Sequence, residues 1–94
     1  MSLAFEWDSL KAAANVRRHG ITFTEASSVF GDTLSIVFAD PLHSAEEDRF
    51  ILIGHSGHGR LLVVVHSERG SGYRIISARL ATSRERQTYE QRLR

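Results

Sequence analysis

Residues 61–80, LLVVVHSERGSGYRIISARL, decide the fold. The nearly continuous apolar run from Leu61 to His66 is typical of a central strand that is covered on both faces. The glycine-containing segment 69–72 then turns the chain, and Tyr73 to Leu80 is expected to form the last strand. These residues predict an antiparallel hairpin at the centre of a small sheet.

Two helices are predicted ahead of this sheet. Asp8 is a suitable N-cap for a helix over 9–19, and Gly20 follows directly as a residue that ends a helix. A capping box at 22–25 then begins a second helix, which closes at Gly31. The short glycine turn between the two segments predicts a helical hairpin.

The remaining segments predict two more strands and a third helix. The strands cover 34–39 and 50–53, and a helix over 83–92 follows a second capping box. Pro41 ends the first strand because proline cannot donate to a ladder, and the glycine-rich segment 54–59 is a hairpin loop. The order predicts an α+β fold, in which an N-terminal helical hairpin and a C-terminal helix pack on three or four antiparallel strands.

The composition limits the class of protein. Ninety-four residues are enough for one hydrophobic core, so 1–94 is expected to be a single domain, and 41% hydrophobic residues argue against disorder. The absence of cysteine excludes disulfide frameworks and thiolate metal sites, which suits a reducing cytoplasm. No apolar stretch approaches the roughly 20 residues needed to span a bilayer. We therefore expect a cytoplasmic protein without a membrane partner.

Charge is distributed unevenly along the chain. Residues 1–68 contain five Lys or Arg and nine Asp or Glu, whereas residues 69–94 contain seven arginines and two glutamates. This division suggests that one end meets a polyanion while the other can meet a basic partner. The same pattern also fits a C-terminal helix whose scattered arginines only keep the protein in solution.

The central hairpin also contains residues that can cleave RNA. Side chains alternate along a strand, so His66 and Glu68 share a face, and strict alternation places Arg79 on the face of Ile75 and Arg74 on the other. A base would take the 2′-hydroxyl proton, an acid would protonate the departing 5′-oxygen, and a guanidinium would stabilise the phosphorane. The register is open at this stage. The alternative is that His66 and Glu68 merely end a strand and pair with surface arginines.

The histidines raise the question of a metal site. His55 and His58 flank the glycine-rich turn, and His43 precedes Glu46 and Glu47. No His-Glu-x-x-His pattern or other tight ligand set occurs, and the glycine-rich turn lacks the Gly-Lys-Ser/Thr ending of a P-loop. We expect no metal and no other cofactor. A metal-binding domain that uses the three histidines is the weakest alternative.

Taken together, these residues resemble the BrnT family of toxins. The resemblance runs through the chain in order, over FEWD at 5–8, Lys11, NVRRHG at 15–20, EDR at 47–49, LVVVHSE at 62–68, RIISAR at 74–79 and Glu85. Two departures affect a surface charge and a turn. Arg18 stands where a lysine commonly precedes the His-Gly pair, and Gly-Asp-Thr at 31–33 stands where the family often has Asp-Pro.

The resemblance implies a RelE-like fold, in which helices cover one face of a small antiparallel sheet. It also implies a metal-independent ribonuclease that arrests translation as the toxin of a type II toxin–antitoxin pair. A small ribbon-helix-helix antitoxin, BrnA, would neutralise it, and the toxin would reach operator DNA only through that antitoxin. The alternative is a non-catalytic basic module that binds a partner protein or nucleic acid.

Residue by residue, the resemblance points to a catalytic group and a group that binds RNA. The catalytic candidates are His66, Glu68, Arg74 and Arg79. The candidates for RNA binding are Lys11 and Arg49, and the basic charge of the C-terminal helix adds Arg84 and Arg86. We expect Glu68 or His66 to act as the base and Arg79 to stabilise the phosphate.

Overall fold

The central hairpin forms as predicted. In the computed structural model, which describes residues 4–41 and 48–92, β4 (Leu61–Arg69) and β5 (Gly72–Leu80) pair in antiparallel fashion. The turn between them contains Gly70, whose φ of 55° lies in the left-handed region that glycine adopts without steric cost.

Three further strands and three helices surround this hairpin. The strands are β1 (Phe5–Glu6), β2 (Ile36–Ala39) and β3 (Arg49–His55), and the helices are α1 (Ser9–His19), α2 (Phe23–Ser28) and α3 (Ser83–Gln91), with a 3₁₀ turn at Val29–Gly31. Within the described ranges the sheet has five strands in the order β1-β5-β4-β3-β2. The predicted α+β class is therefore confirmed, and the helix bounds lie close to those expected. None of the helices in these ranges is both long and apolar enough to cross a membrane.

The prediction of three or four antiparallel strands is wrong because β1 was missed. This strand has two residues and pairs parallel to β5, with Phe5 beside Tyr73 and Glu6 beside Arg74. Two residues are too few to show an alternating pattern, so no local signal marks the strand. Its place is fixed by contacts distant in sequence, such as the edge-to-face packing of the Phe5 and Phe30 rings at 5.0 Å.

The two N-terminal helices do not form the predicted hairpin. The caps of α1 are as expected, since the Asp8 carboxylate accepts backbone N–H bonds and Gly20 has a φ of 70°. However, α1 packs chiefly on β5, and α2 packs on β5 and on the 3₁₀ turn that follows it. The helices are therefore placed by the sheet rather than by each other.

Helices lie on both faces of the sheet, which corrects the expectation that they cover one face. Leu62 and Val64 of β4 belong to a buried cluster with residues from α2 and the segments that flank it. Leu61 and Val63 belong to a second cluster with Tyr89 of α3. Because side chains alternate along a strand, these clusters mark opposite faces. We call them the α1–α2 face and the α3 face, and together they explain the uninterrupted apolar run in β4.

Candidate active site

A β-bulge in β5 decides which side chains share a face. The pairing of β4 with β5 passes over Ile76, so Ile75 and Ala78 both enter the buried cluster on the α1–α2 face although they lie three residues apart. By alternation on either side of the bulge, Arg74 and Arg79 both lie on the α3 face. The predicted placement of Arg79 on the face of Ile75 is therefore wrong.

The sheet consequently divides the predicted catalytic group. Strand β4 keeps its alternation from Val64 onward, so His66 and Glu68 lie on the α1–α2 face. Arg74 and Arg79 lie on the other side of the sheet. A base has to come within hydrogen-bond reach of the proton that it removes. The hypothesis that these four side chains act together on one phosphate is therefore not supported by the geometry.

Three partly buried arginines from two strands of the sheet project on the α3 face, where the exposed Arg69 also lies at the end of β4. Arg49 of β3, Ser67 of β4 and Arg74 of β5 are successive cross-strand neighbours, and Arg79 follows on β5 beyond the bulge. We call this set, with Ser77, the arginine face. Each of its three arginines is partly buried. A row of guanidinium groups raises the local positive potential and matches the two-pronged geometry of phosphate.

Arg79 is held by a carboxylate of the C-terminal helix. Its guanidinium donates two hydrogen bonds of 2.8 Å to the two carboxylate oxygens of Glu85. Glu85 also accepts from the backbone N–H of Thr82 at 2.8 Å, which completes the predicted capping box of α3. The Arg79 hydrogen bonds, helped by the capping bonds, lower the pKa of Glu85 to about 2. Arg79 therefore joins β5 to α3, and a phosphate would compete with Glu85 for it.

Arg74 has no such partner. Within residues 4–41 and 48–92 its side chain forms no hydrogen bond or ion pair, although it is partly buried and its charge interacts with the Asp8 carboxylate. A guanidinium that is positioned by packing and still has its donors available is suited to bind an incoming anion. Among the predicted catalytic arginines, Arg74 is thus the one that can take a phosphate without breaking an existing pair.

His66 lies in an aromatic pocket on the α1–α2 face. The pocket has a volume of about 290 Å³, and the His66 side chain that lines it belongs to a residue that is 3% exposed. The centre of the imidazole ring lies 4.8 Å from the ring centre of Phe30, 5.4 Å from that of Tyr73 and 5.9 Å from that of Phe50. Burial lowers the pKa of His66 and outweighs a backbone hydrogen bond with Val64 and the charge of Glu68. The imidazole is therefore neutral at pH 7.

The charge of this pocket does not suit a phosphate. Glu68 is exposed at its rim, and no Lys or Arg is among the described residues that line it. An anion there would meet a carboxylate and no compensating cation, which is unfavourable in a partly dehydrated site. His66 and Glu68 can exchange protons in principle, but the pocket does not supply the positive charge that a phosphorane requires.

The other predicted RNA-binding residues are spread over three elements. Arg49 belongs to the arginine face, Lys11 is exposed on α1, and Arg84 and Arg86 are exposed in the first turn of α3. Neither Arg84 nor Arg86 forms a side-chain ion pair with any residue in the described part of the chain. They add positive charge near the arginine face without belonging to it.

The two histidines that flank the glycine-rich turn lie next to different side chains of the protein. Nδ1 of His55 lies 3.2 Å from the Tyr89 hydroxyl, and Nδ1 of His58 lies 3.6 Å from the carboxylate of Glu25. No group of three or more His, Cys, Asp or Glu side chains that could hold a metal occurs among the described residues. His43, Glu46 and Glu47 lie outside those residues.

Comparison with known families decides the class. A family profile described as the ribonuclease toxin, BrnT, of type II toxin–antitoxin systems matches residues 7–85. The chain belongs to the BrnT family. The resemblance inferred from the sequence is thus confirmed. No curated protein sequence matches the chain.

A solved structure agrees with the BrnT assignment at the level of the fold. The crystal structure of the Brucella abortus ribonuclease toxin BrnT, at 1.1 Å resolution, superposes with a TM-score of 0.68. The two proteins are 24% identical, and the match covers 87% of this chain and 100% of the Brucella chain. The α+β architecture with three helices and a five-stranded sheet is therefore a BrnT fold.

Sequence reasoning missed a residue that positions α1 in this BrnT fold. The buried amide of Asn15 donates to the carbonyls of Ile21 and Ala78 at 2.9 and 2.8 Å, and its oxygen accepts from the Ala78 N–H at 3.1 Å. β1 pairs with two residues of β5. Further along β5, the Asn15 side chain makes the backbone hydrogen bonds to Ala78 that a neighbouring strand would otherwise make. The sequence signal is an Asn inside a predicted helix. If such an Asn is buried, its amide needs hydrogen-bond partners, so the residue indicates a contact with another element.

Proposed function

We propose that this chain is a metal-independent endoribonuclease whose scissile phosphate binds on the arginine face. The observation that carries the proposal is the concentration of Arg49, Arg74 and Arg79 on one face of the sheet in a member of a ribonuclease-toxin family. Guanidinium groups aimed at a phosphorane stabilise the negative charge that builds up there, which is the task of the divalent ion in metal-dependent nucleases.

Arg74 is the proposed principal ligand of the phosphate. The ribose 2′-oxygen would attack the neighbouring phosphorus as its proton passes to a base. The bond to the 5′-oxygen of the next nucleotide would break, and that oxygen would take up a proton from water. The products would be a 2′,3′-cyclic phosphate and a 5′-hydroxyl end. Arg49 lies across β4 from Arg74 and is placed to share the charge, whereas Arg79 borders the site from its pair with Glu85.

Glu6 is the carboxylate that best fits the role of base. It is the register partner of Arg74 in the parallel pair of β1 and β5, it is exposed, and alternation puts it on the face of Arg74. His66 and Glu68 would serve as base only for an RNA bound in the aromatic pocket, which lacks cations among its described residues. The geometry therefore favours Glu6 over the two residues that the sequence suggested.

The partners follow from the family. A ribonuclease toxin of a type II pair has an antitoxin and acts on RNA, so both are expected in the compartment where translation occurs, the cytoplasm. We propose a BrnA-like antitoxin with a ribbon-helix-helix DNA-binding part. Operator DNA would be reached only through it.

A cleavage assay with excess chelator tests the reaction. The purified protein should cut single-stranded RNA at the same rate with and without EDTA and should leave 2′,3′-cyclic phosphate ends. Loss of cleavage in EDTA, restored by a divalent ion, would contradict metal independence. Salt-sensitive RNA binding with no product at any time would instead support the non-catalytic basic module.

A further inference from the structure

A basic groove separate from the predicted catalytic residues lies between α1 and the bulge of β5. It has a volume of about 530 Å³ and is lined by Lys11, Arg17 and Arg18 of α1 on one side and by Ile76 and Ser77 of β5 on the other. No Asp or Glu is among the described residues that line it. The groove is therefore a cationic channel along one side of α1.

The cations of the groove form no hydrogen bond or ion pair with the described residues, although the charge of Lys11 interacts with the Asp8 carboxylate. Lys11, Arg17 and Arg18 are exposed, and none of their side chains forms a hydrogen bond or ion pair with a residue in 4–41 or 48–92. Basic residues in the last turn of a helix can be explained by its dipole, which favours Arg17 and Arg18. The dipole does not account for Lys11, which lies in the first turn, where a cation is disfavoured; there its charge interacts with the carboxylate of the N-cap Asp8.

The bulge connects this groove to the arginine face. Ser77 lines the groove and also lies on the arginine face, between Arg74 and Arg79 along β5. Lys11 and Arg18 are seven residues apart and share one side of α1, so their Cα atoms are separated by about 10 Å along the helix axis. A strand held at Arg74 that continues past Ser77 would run along these cations.

We propose that the α1 groove binds the sugar–phosphate backbone of the RNA strand next to the scissile phosphate. The inference rests on the proposed function for the identity of the strand, and it adds a second phosphate subsite formed by Lys11 and Arg18, with Arg17 beside them. Extended single strands are bound in this way, by a positively charged groove that follows the backbone. The subsite makes binding depend on RNA length, because a longer strand can contact Arg74 and also extend along Lys11 and Arg18.

The test uses RNA that the enzyme cannot cut, so that binding is measured apart from cleavage. A 2′-O-methyl RNA of about twelve nucleotides, within the range of single-strand site sizes, is compared with a 2′-O-methyl trinucleotide. The variants are Lys11→Gln, Arg18→Gln and the double variant. Arg92→Gln is the matched control, since Arg92 is an exposed arginine that donates to the Ser35 carbonyl beside β2, at the edge of the sheet opposite β1. Circular dichroism and melting temperature verify that each variant is folded.

The double variant should bind the longer RNA roughly tenfold more weakly and should lower the slope of log affinity against log salt by about 1.4, which is about 0.7 for each lost phosphate contact. The affinity of the double variant for the trinucleotide should stay close to the wild-type value. The control variant should bind both RNAs as tightly as wild type. An unchanged slope for the longer RNA, or an equal loss for the trinucleotide, overturns the subsite. Loss of antitoxin binding with intact RNA binding also overturns it and assigns the groove to the antitoxin.

The same experiment separates this inference from the proposed function. If the wild type cuts no RNA but the slope still falls in the double variant, the groove binds nucleic acid and the ribonuclease proposal fails. If cleavage on the arginine face is intact and the slope is unchanged, the groove inference alone fails.

Discussion

Replacing Glu85 with Gln tests whether Arg79 is mainly a structural residue. The two 2.8 Å bonds from Arg79 are the first cause of the fall in the pKa of Glu85 from 4.5 to about 2. A shift of this size corresponds to a ceiling of about 3 kcal/mol in the free energy of unfolding. The Arg79 side chain is 42% exposed, so solvent screening reduces the expected loss at pH 7 to about 1–2 kcal/mol.

The sign of the pH dependence follows from the lowered pKa. Glu85 stabilises the folded protein above its ordinary pKa of 4.5, and this stabilisation is lost as the pH falls toward 2, where the folded protein takes up the proton. Gln also serves at this position of a capping box, so Glu85→Gln removes the charge and keeps the cap of α3. The variant should therefore lose stability at neutral pH and show a flatter dependence in the acid range.

The coupling energy between Arg79 and Glu85 is measured by urea unfolding at pH 7 and at pH 3. The proteins compared are wild type, Glu85→Gln, Arg79→Gln and the double variant. We expect about 1–2 kcal/mol at pH 7 and less at pH 3. Glu90→Gln, an exposed glutamate on the same helix, is the control. A coupling below about 0.3 kcal/mol, or equal pH dependence in wild type and Glu85→Gln, would refute the structural role of Arg79.

Three further predictions concern the rest of the site. Asn15→Leu should lower the free energy of unfolding by about 3–5 kcal/mol, because three buried hydrogen bonds are lost; chemical denaturation measures this, and a loss below about 1 kcal/mol would contradict it. Glu6→Gln should reduce kcat about 100-fold in a folded sample, whereas an unchanged kcat would exclude Glu6 as the base. His66→Phe should change the cleavage rate of a folded sample less than about threefold, and a loss comparable to that of Glu6→Gln would return the base to the aromatic pocket.

The parts of the fold that depend on local signals could be predicted from the sequence. The apolar run in β4, the glycine turn after it and the caps at Asp8 and Thr82 each involve residues close together in the chain. The capping box predicted at 22–25 forms only in part. Thr22 accepts from the Glu25 N–H, but the Glu25 carboxylate binds Arg60 and Ser56 of the β3–β4 turn instead of closing the box.

The arrangement of the site could not be predicted because it depends on a bulge in β5, where one extra residue, Ile76, shifts the alternation of side chains. Ile75 and Ile76 are both apolar, so an uninterrupted strand and a bulged strand fit the sequence equally well. The bulge moves Arg79 to the other face and places it on the side of Arg74, away from His66. The identity of the basic residues was therefore accessible from the sequence, whereas their separation from the histidine was not.

The cleavage rate of Arg74→Ala in the presence of EDTA tests the central claim most directly. Wild type, Arg74→Ala and Arg92→Ala are compared on one single-stranded RNA, with circular dichroism to verify folding. Loss of a phosphate ligand that acts in the transition state should lower kcat by about 100- to 1,000-fold in Arg74→Ala. Arg92 lies beside Ser35 near the β2 edge of the sheet, so Arg92→Ala should cut at the wild-type rate. A folded Arg74→Ala that cleaves as fast as wild type would show that the arginine face is not the active site.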